Sequence, residues 1–450
     1  MVTKMNRLTI ALIVFALHLA VFSAAAQMLT VKTAVELGFP TMTNTGYRIM
    51  QSSDLVTWEP IGRQIFGDGT GVSRLFSISA PQRYFRTESF TVRDLSSILE
   101  QIRKTRNVPA LACAVVRSNR IVGLGVAGWR KWNVTNAPVT VADKWHHGSI
   151  TKSMTATLAA MLVEEGRIKW TNTLADIFPY FTNRMHLGWR AATLEQLSSN
   201  RGGAPEVIPS GIWNDLWNFG GTPREGRRRL LERMTTDAPA SPPGTRYEYS
   251  NAGFSLAGHM LETVMNQAWE DLLTERLFLP LEMVSAGFGV PATPRHIDQP
   301  WGHTLSNPAL PPSVSNPTTP IAPGTSADNP PAIGPAGTVH CSVVDLALYA
   351  AFHLAAHKAN TTLLSRASAL KLHTAYPNNG DYAHGWVVVY RPWANGDALA
   401  HSGSNTQWYS NLWLAPARDF AVIALCNLGG DTAYYATDDI VARMIQEFLQ

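Results

Sequence analysis

The stretch from Gly148 to Gly166, G-S-I-T-K-S-M-T-A-T-L-A-A-M-L-V-E-E-G, carries Ser149 and Lys152 three residues apart at the start of an apolar run. Residues i and i+3 share a helix face, so this spacing brings a lysine amine within reach of a serine hydroxyl. A serine at a helix start also meets free backbone N–H groups, which favour developing negative charge. Serine becomes a good nucleophile only when a neighbouring base takes its proton. Lysine is that base only when burial or a nearby cation holds it neutral. The run ends at Gly166, a good helix stop.

The motif alone is loose, and the chain carries a second copy, Ser368 and Lys371, followed by Tyr376 and Asn378. The second copy crowds its groups into one local segment, with Pro377 between Tyr376 and Asn378. A catalytic tyrosine facing a helix-borne serine should come from another part of the fold. The second copy therefore reads as an ordinary exposed helix pair.

A chain of 450 residues, 45% apolar and 16% charged, has room for two or three domains of ordinary globular composition. The net charge of +4 is small for this length and no basic stripe is present, so nucleic acid is not an expected partner. Arg227, Arg228, Arg229 and Arg233 read as a solvated helix face. The chain has only three cysteines, Cys113, Cys341 and Cys426, far apart and in apolar surroundings. An odd count leaves at least one thiol unpaired, and small buried hydrophobes are the expected role.

Residues 1–26 read as an export signal. Lys4 and Arg7 precede an apolar stretch, Leu8 to Phe22, and Ala24, Ala25 and Ala26 supply a small-residue cleavage site. The stretch is short for a membrane span, so a periplasmic or secreted protein is expected. Residues 27–90 read as a small β-rich domain of short strands and turns, with Tyr47, Trp58, Phe76 and Tyr84 as its aromatic core. With S-S-D-L-V-T-W as its signature, it resembles small β modules that precede enzymes in exported bacterial proteins. That resemblance implies an accessory domain, or one that contacts a cell-wall polymer or a partner.

The larger part, residues 93–450, opens with a helix whose inner face is Leu95, Ile98, Leu99 and Ile102. Two apolar strands follow, joined through Ser118, Asn119 and Arg120 as a hairpin. A helix-rich middle extends from about 172 to 300, and a proline-rich irregular segment covers 303–335. Late strands and a terminal helix with Ile440, Met444, Ile445 and Phe448 inward complete the pattern. The order predicts an α+β fold, an antiparallel sheet covered by helices from both chain ends.

Three segments belong together: Ser149 with Lys152; P-P-G-T-R-Y-E-Y-S-N-A-G-F, with Tyr249 and Asn251; and A-H-S-G-S, with His401, Gly403 and Ser404. Singly, each residue has a plain structural reading. Tyr249 reads as a strand tyrosine, Asn251 as a helix cap and His401 as a satisfied edge histidine. Together, and with V-T-V-A-D-K-W-H-H-G-S-I-T-K, T-L-E-Q-L-S-S-N, Y-S-N-A-G-F-S-L-A-G, G-P-A-G-T-V-H-C-S-V-V-D-L and H-G-W, they resemble the serine β-lactamases and penicillin-binding proteins. The likeness is strongest to the class C β-lactamase, DD-peptidase and esterase branch, and it covers about residues 93–450.

The resemblance implies a β-lactamase/DD-peptidase-like antiparallel sheet flanked by helices, with a helix-rich lobe, preceded by the small all-β domain. It implies Ser149 as the acylated nucleophile, Lys152 as its partner and base, and Tyr249 as the proton carrier. Asn251, His401, Gly403 and Ser404 would contact substrate, and the N–H groups of Ser149 and Ser404 would form the oxyanion hole. No cofactor is expected. His146 and His147 lack the acidic or H-E-x-x-H context of a metal site, so no metal is expected. The implied function is a serine hydrolase acting through a covalent acyl-enzyme on small-molecule, short-peptide or ester substrates, with β-lactams as acylating ligands. The alternatives are a β-lactamase and a non-catalytic receptor of the same fold. Two departures stand out. H-S-G replaces the frequent K-T-G or K-S-G, so attraction for a substrate carboxylate should be weaker and pH-dependent. Asn200 stands where the family frequently has histidine.

Overall fold

The computed structural model describes residues 33–78, 83–377 and 380–449. The expected export segment, residues 1–26, lies outside the described residues, as does Asn378.

Five strands form the N-terminal part: β1 (Thr33–Pro40), β2 (Thr45–Ser52), β3 (Glu59–Phe66), β4 (Gly71–Ile78) and β5 (Tyr84–Thr91). β1 pairs with β4, and β3-β2-β5 form a second small sheet. Its core differs from the expected aromatic set. Tyr47, Ile49 and Ile65 are the buried centre, with Phe76 packed partly against them. Trp58 instead lies under the Arg86 guanidinium, 4.3 Å from ring centroid to Cζ, and Tyr84 is only half-buried. A module this small has few interior positions, and its branched aliphatics fill them at the β2–β3 pairing.

The main sheet begins with β6 (Arg93–Asp94), β7 (Ala110–Arg117) and β8 (Arg120–Gly128). Shorter strands β9 (Lys144–His146), β10 (Gly287–Phe288), β11 (Gly302–Thr304), β12 (Thr319–Ile321) and β13 (Val339–Ser342) follow. Then come β14 (Val387–Arg391), β15 (Gly396–Ser404), β16 (Tyr409–Ala415) and β17 (Phe420–Cys426). The sheet has the order β14-β15-β16-β17-β7-β8-β6, antiparallel except where β6 runs parallel to β8. The β7–β8 turn places Ser118 and Asn119 at φ 50° and 58°, the doubly left-handed geometry that matches strand twist in a two-residue hairpin.

β17 is apolar at every position and β7 from Ala110 to Val116, because both faces of the sheet are covered there. On β7, Ala110, Ala112, Ala114 and Val116 face one core, while Leu111, Cys113 and Val115 face the other. On that second face lie helix Ser96–Arg106 and the terminal helix Asp431–Leu449, with Ile440 and Met444 fully inward. The first core is larger and continues into the helical lobe. All three cysteines are buried and unpaired. The proline-rich segment is less irregular than expected, since β11 and β12 pair within it.

The basic cluster on helix Pro223–Met234 requires a correction. Arg228 and Arg229 are exposed and paired with Glu232 and Asp215, but the Arg227 side chain is fully enclosed. Its guanidinium donates to Glu262 at 2.9 and 2.7 Å and to Glu270 at 2.9 and 2.8 Å. Glu262 in turn accepts from the Trp269 N–H at 3.1 Å and lies 2.6 Å from His259 Nδ1. This network ties three helices of the lobe together, and it is invisible to a charge count. Glu262→Ala should lower stability by about 3–5 kcal/mol, because it strips a buried guanidinium of one carboxylate. The shift of the denaturation midpoint measures it; a loss under about 1 kcal/mol would mean that water reaches Arg227.

Candidate active site

Ser149 lies in a single tight turn, Gly148–Ile150, that leads directly into helix Thr151–Glu164. Gly148 has φ +48°, a backbone region in which a side chain is strained. A Cβ there would also meet the Ser404 nitrogen at 2.5 Å. The converse approach is as close: a Cβ on Gly403 would lie 1.9 Å from the His147 carbonyl oxygen and 2.8 Å from the Ser149 nitrogen. Two glycines thus let the end of β15 press its main chain against the Ser149 turn.

Lys152 is fully buried. Its Nζ lies 3.0 Å from Ser149 Oγ, 2.7 Å from Asn251 Oδ1 and 2.8 Å from the Ala336 carbonyl oxygen. Burial pushes its pKa well below the usual lysine value. The partners suit a neutral amine. Asn251 Oδ1 and Ala336 O can only accept, so they take two N–H bonds, and in the neutral amine that burial favours the lone pair is free to face the Ser149 hydroxyl.

Tyr249 approaches from a loop that precedes helix Asn251–Met265. Its ring centroid is 4.7 Å from Lys152 Nζ. Burial raises the phenol pKa, and a hydrogen bond with Ser149 acts the other way. Tyr249 is therefore a neutral phenol at pH 7, while Lys152 is the group held ready to accept a proton. Ser250 caps the helix through its Oγ, which accepts from the Gly253 N–H at 3.2 Å. That frees the Asn251 side chain from capping and lets it reach Lys152.

His401 is 5% exposed on β15, its ring 6.3 Å from that of Tyr249. The near-neutral titration expected for it is displaced: burial pushes its pKa down to about 3. His146 and His147 precede the Ser149 turn. His147 is buried against Cys341, with Nε2 3.0 Å from Sγ, and its pKa is pushed down to about 3. His146 Nε2 lies 2.9 Å from Asp328 Oδ1, which brings the proline-rich segment alongside the turn.

The structure thus gathers Ser149, Lys152, Tyr249, Asn251, His401, Gly403 and Ser404 in one place. The second motif copy is elsewhere: Lys371 pairs with Glu195 at 2.5 Å on helix Arg366–His373. Three contributors were missed in the sequence. The Ala336 carbonyl left no side-chain signal. Tyr382 sits 3.3 Å from His401 Nε2 through its hydroxyl, just before the H-G-W phrase. Asn200 was visible only as a departure. At φ 58°, it accepts from the Ser250 N–H through Oδ1 at 3.0 Å and from the Glu248 N–H through its carbonyl at 2.8 Å. It therefore holds the chain on both sides of Tyr249.

The Beta-lactamase family model matches residues 95–446. The chain belongs to this family. It is 25% identical over 358 residues to Penicillin-binding protein 4 of Amycolatopsis lactamdurans, covering 77% of this chain and 88% of that one. It is 23% identical to Protein flp of Staphylococcus aureus over 75% of this chain and 64% of that one, and so spans under two thirds of that relative's length. The solved D-alanine carboxypeptidase AmpC of Burkholderia cenocepacia shares the fold, with a TM-score of 0.58 at 18% identity over 76% of this chain and 96% of that one.

Gly403→Ala should push β15 away from the Ser149 turn. A fluorophosphonate should then label Ser149 roughly 100-fold more slowly, the scale of an ångström-sized misplacement. Labelling at the parent rate, read by intact mass against time, would show that the close approach is dispensable.

Proposed function

We propose that this β-lactamase-family chain is a serine hydrolase that cleaves amide or ester bonds through a covalent acyl-enzyme on Ser149. The supporting observation is the buried Lys152 amine, 3.0 Å from Ser149 Oγ with its other two bonds spent on pure acceptors.

Lys152 takes the Ser149 proton as Oγ bonds to the substrate carbonyl carbon. The carbonyl oxygen gains the electron pair and would be stabilised by the N–H groups of Ser149, in the turn, and Ser404, on β15. The tetrahedral centre collapses and the bond to the leaving nitrogen or oxygen breaks. Tyr249 donates its proton to that atom and is reprotonated from Lys152. Water then adds to the ester and gives its proton back through Tyr249 and Lys152. The second collapse releases the acid and returns the proton to Ser149. Asn251 orients Lys152 and the substrate, and Gly403 leaves room for the substrate beside β15.

The substrates that fit are D-amino-acid peptides and small esters, with β-lactams as acylating ligands. The likeness to a D-alanine carboxypeptidase supports the first, and the likeness to Penicillin-binding protein 4 supports the last. The reading of residues 1–26 as an export signal supports a periplasmic or secreted enzyme, and the β module would contact a wall polymer.

Intact-mass analysis with a fluorophosphonate or penicillin should show one adduct, mapped to Ser149, and p-nitrophenyl ester turnover should vanish in Ser149→Ala. Absence of any adduct across several probes would sink the proposal, and an adduct without turnover would favour a silent receptor. The pH profile offers a separate check. Because the Lys152 pKa is lowered, kcat/KM should reach its plateau well below the pH at which an ordinary lysine titrates and fall on the acid side as Lys152 gains a proton. A profile that keeps rising to a midpoint near 10.4, the ordinary lysine value, would rule Lys152 out as the base.

A further inference from the structure

Beside Ser149 lie the buried Lys152, the phenol of Tyr249 and, on β15, the histidine of H-S-G, whose two ring nitrogens both have partners. His401 Nδ1 lies 2.6 Å from the Ser402 carbonyl oxygen. A carbonyl only accepts, so Nδ1 carries the ring proton. In the neutral ring Nε2 then carries the lone pair, and the Tyr382 hydroxyl, 3.3 Å away, is placed to donate to it. Tyr382 cannot readily turn. It is 3% exposed, with its ring 5.5 Å from Tyr247 and 6.5 Å from Tyr249.

Asn200 faces the hydroxyls of both Tyr247 and Tyr382. The same Asn200 holds the backbone around Tyr249. The groups facing His401 are Tyr382, Tyr249, the Ser402 carbonyl and Lys152, with Leu412 its register partner on β16. None is a carboxylate that would favour a second proton, and a charge on Lys152 would oppose one. The low His401 pKa agrees with this geometry.

Arg201, a cation on the same side, packs against Tyr247 with Cζ 6.0 Å from the ring, and gives its Nε–H to the Tyr376 carbonyl at 3.0 Å. Lys152 is turned inward as well: burial lowers its pKa, and its amine is already taken up by Ser149, Asn251 and Ala336.

We infer that the cleft accepts acyl donors with a neutral leaving side, alkyl or aryl esters and amides without a free carboxylate, because Tyr382 and the Ser402 carbonyl hold His401 as an uncharged acceptor. This rests on the acyl-transfer reading above and narrows its substrate class: of the two substrate types proposed, it selects small esters over peptides that end in a free carboxylate. A carboxylate brought beside Ser149 would meet aromatic rings and the lone pair of Nε2. It would lose its water without gaining a cation.

The test compares a phenyl ester with the m-carboxyphenyl ester of the same acyl chain between about pH 5 and 8, the range in which an unperturbed histidine titrates. The phenyl ester should be favoured in kcat/KM by about tenfold or more, as for an unpartnered charge in a desolvated cleft. The ratio should stay flat with pH. A preference for the carboxyphenyl ester, or a relative rate for it that climbs as pH falls through about 6.5, would overturn the inference. Nitrogen-15 NMR of the full chain, with histidines assigned through His401→Gln, is a readout independent of turnover. His401 should keep its neutral Nδ1–H tautomer down to about pH 5; an imidazolium at that pH, or the Nε2–H tautomer, would overturn it equally. Turnover that persists in Ser149→Ala would instead tell against the acyl-transfer chemistry itself. A Ser149-dependent preference for the carboxylate would sink this inference alone.

Discussion

The site depends on one buried amine. Lys152 is enclosed on a helix whose N-terminus holds Ser149, and it is reached by a side chain from a second helix, Asn251, and by a carbonyl from a third segment, Ala336. An ammonium enclosed this way loses its hydration and finds no carboxylate at hydrogen-bond distance among these partners, so the neutral form is favoured. The surrounding architecture keeps the three segments in register. Thr155 Oγ1 donates to the Pro335 carbonyl at 2.7 Å, and Thr151 Oγ1 accepts from the Val339 N–H at 3.1 Å. The nucleophile helix and the 334–339 segment therefore grip each other at two points flanking the Lys152–Ala336 contact. The same 334–339 segment runs into β13, which pairs with β9 immediately before Gly148. The serine turn, Lys152 and the Ala336 carbonyl it meets are thereby held by one connected set of contacts.

Legibility in the sequence followed the range of the interaction. The β7–β8 hairpin could be read because its turn is local, and the helix after Ser149 because its ends are marked by glycine. The trio of motifs was readable because each motif combines several chemically special residues within a few positions. The buried Arg227 was misread for the opposite reason. Its partners Glu262 and Glu270 are 35 and 43 residues away, and its exposed neighbours Arg228 and Arg229 share its local pattern. The module's core was misread at Trp58 and Tyr84, where aromatic content was taken for burial, while Tyr47 and Phe76 do join it. Trp58 packs its face on a guanidinium instead. The Ala336 carbonyl had no signal at all, since any residue carries the same acceptor.

The two departures from the family pattern meet in space. Asn200 and His401 lie far apart in sequence, yet both contact Tyr382. Read separately, one was an unexplained substitution and the other a weaker cation. Seen together, they form one arrangement in which a small amide and a neutral imidazole bracket a buried phenol. A lysine in place of His401 would bring a second amine towards Lys152 and would have no lone pair for the Tyr382 hydroxyl unless it, too, gave up its charge. The histidine and its tyrosine are mutually dependent, which is why the change at one motif is best read with the residues it touches.

The N-terminal module is bound to the same framework. Arg63 of β3 reaches Asp345 at 2.5 Å, a carboxylate with no exposed side-chain surface. Asp345 also accepts from the Ser285 N–H and hydroxyl at 2.7 and 2.6 Å. It stands in the first turn of helix Val343–Lys358, where negative charge is favoured. Gln64 adds two bonds to the main chain of Ile121, at 2.9 and 3.0 Å, in the manner of a further strand residue on β8. An ion pair to an exposed carboxylate would contribute little. Here the carboxylate is enclosed and its donors are divided between the module and the main domain, so separating the two would leave a buried charge with an unfilled acceptor position. The module is thereby seated on the element that follows β13, the strand that supports the serine turn.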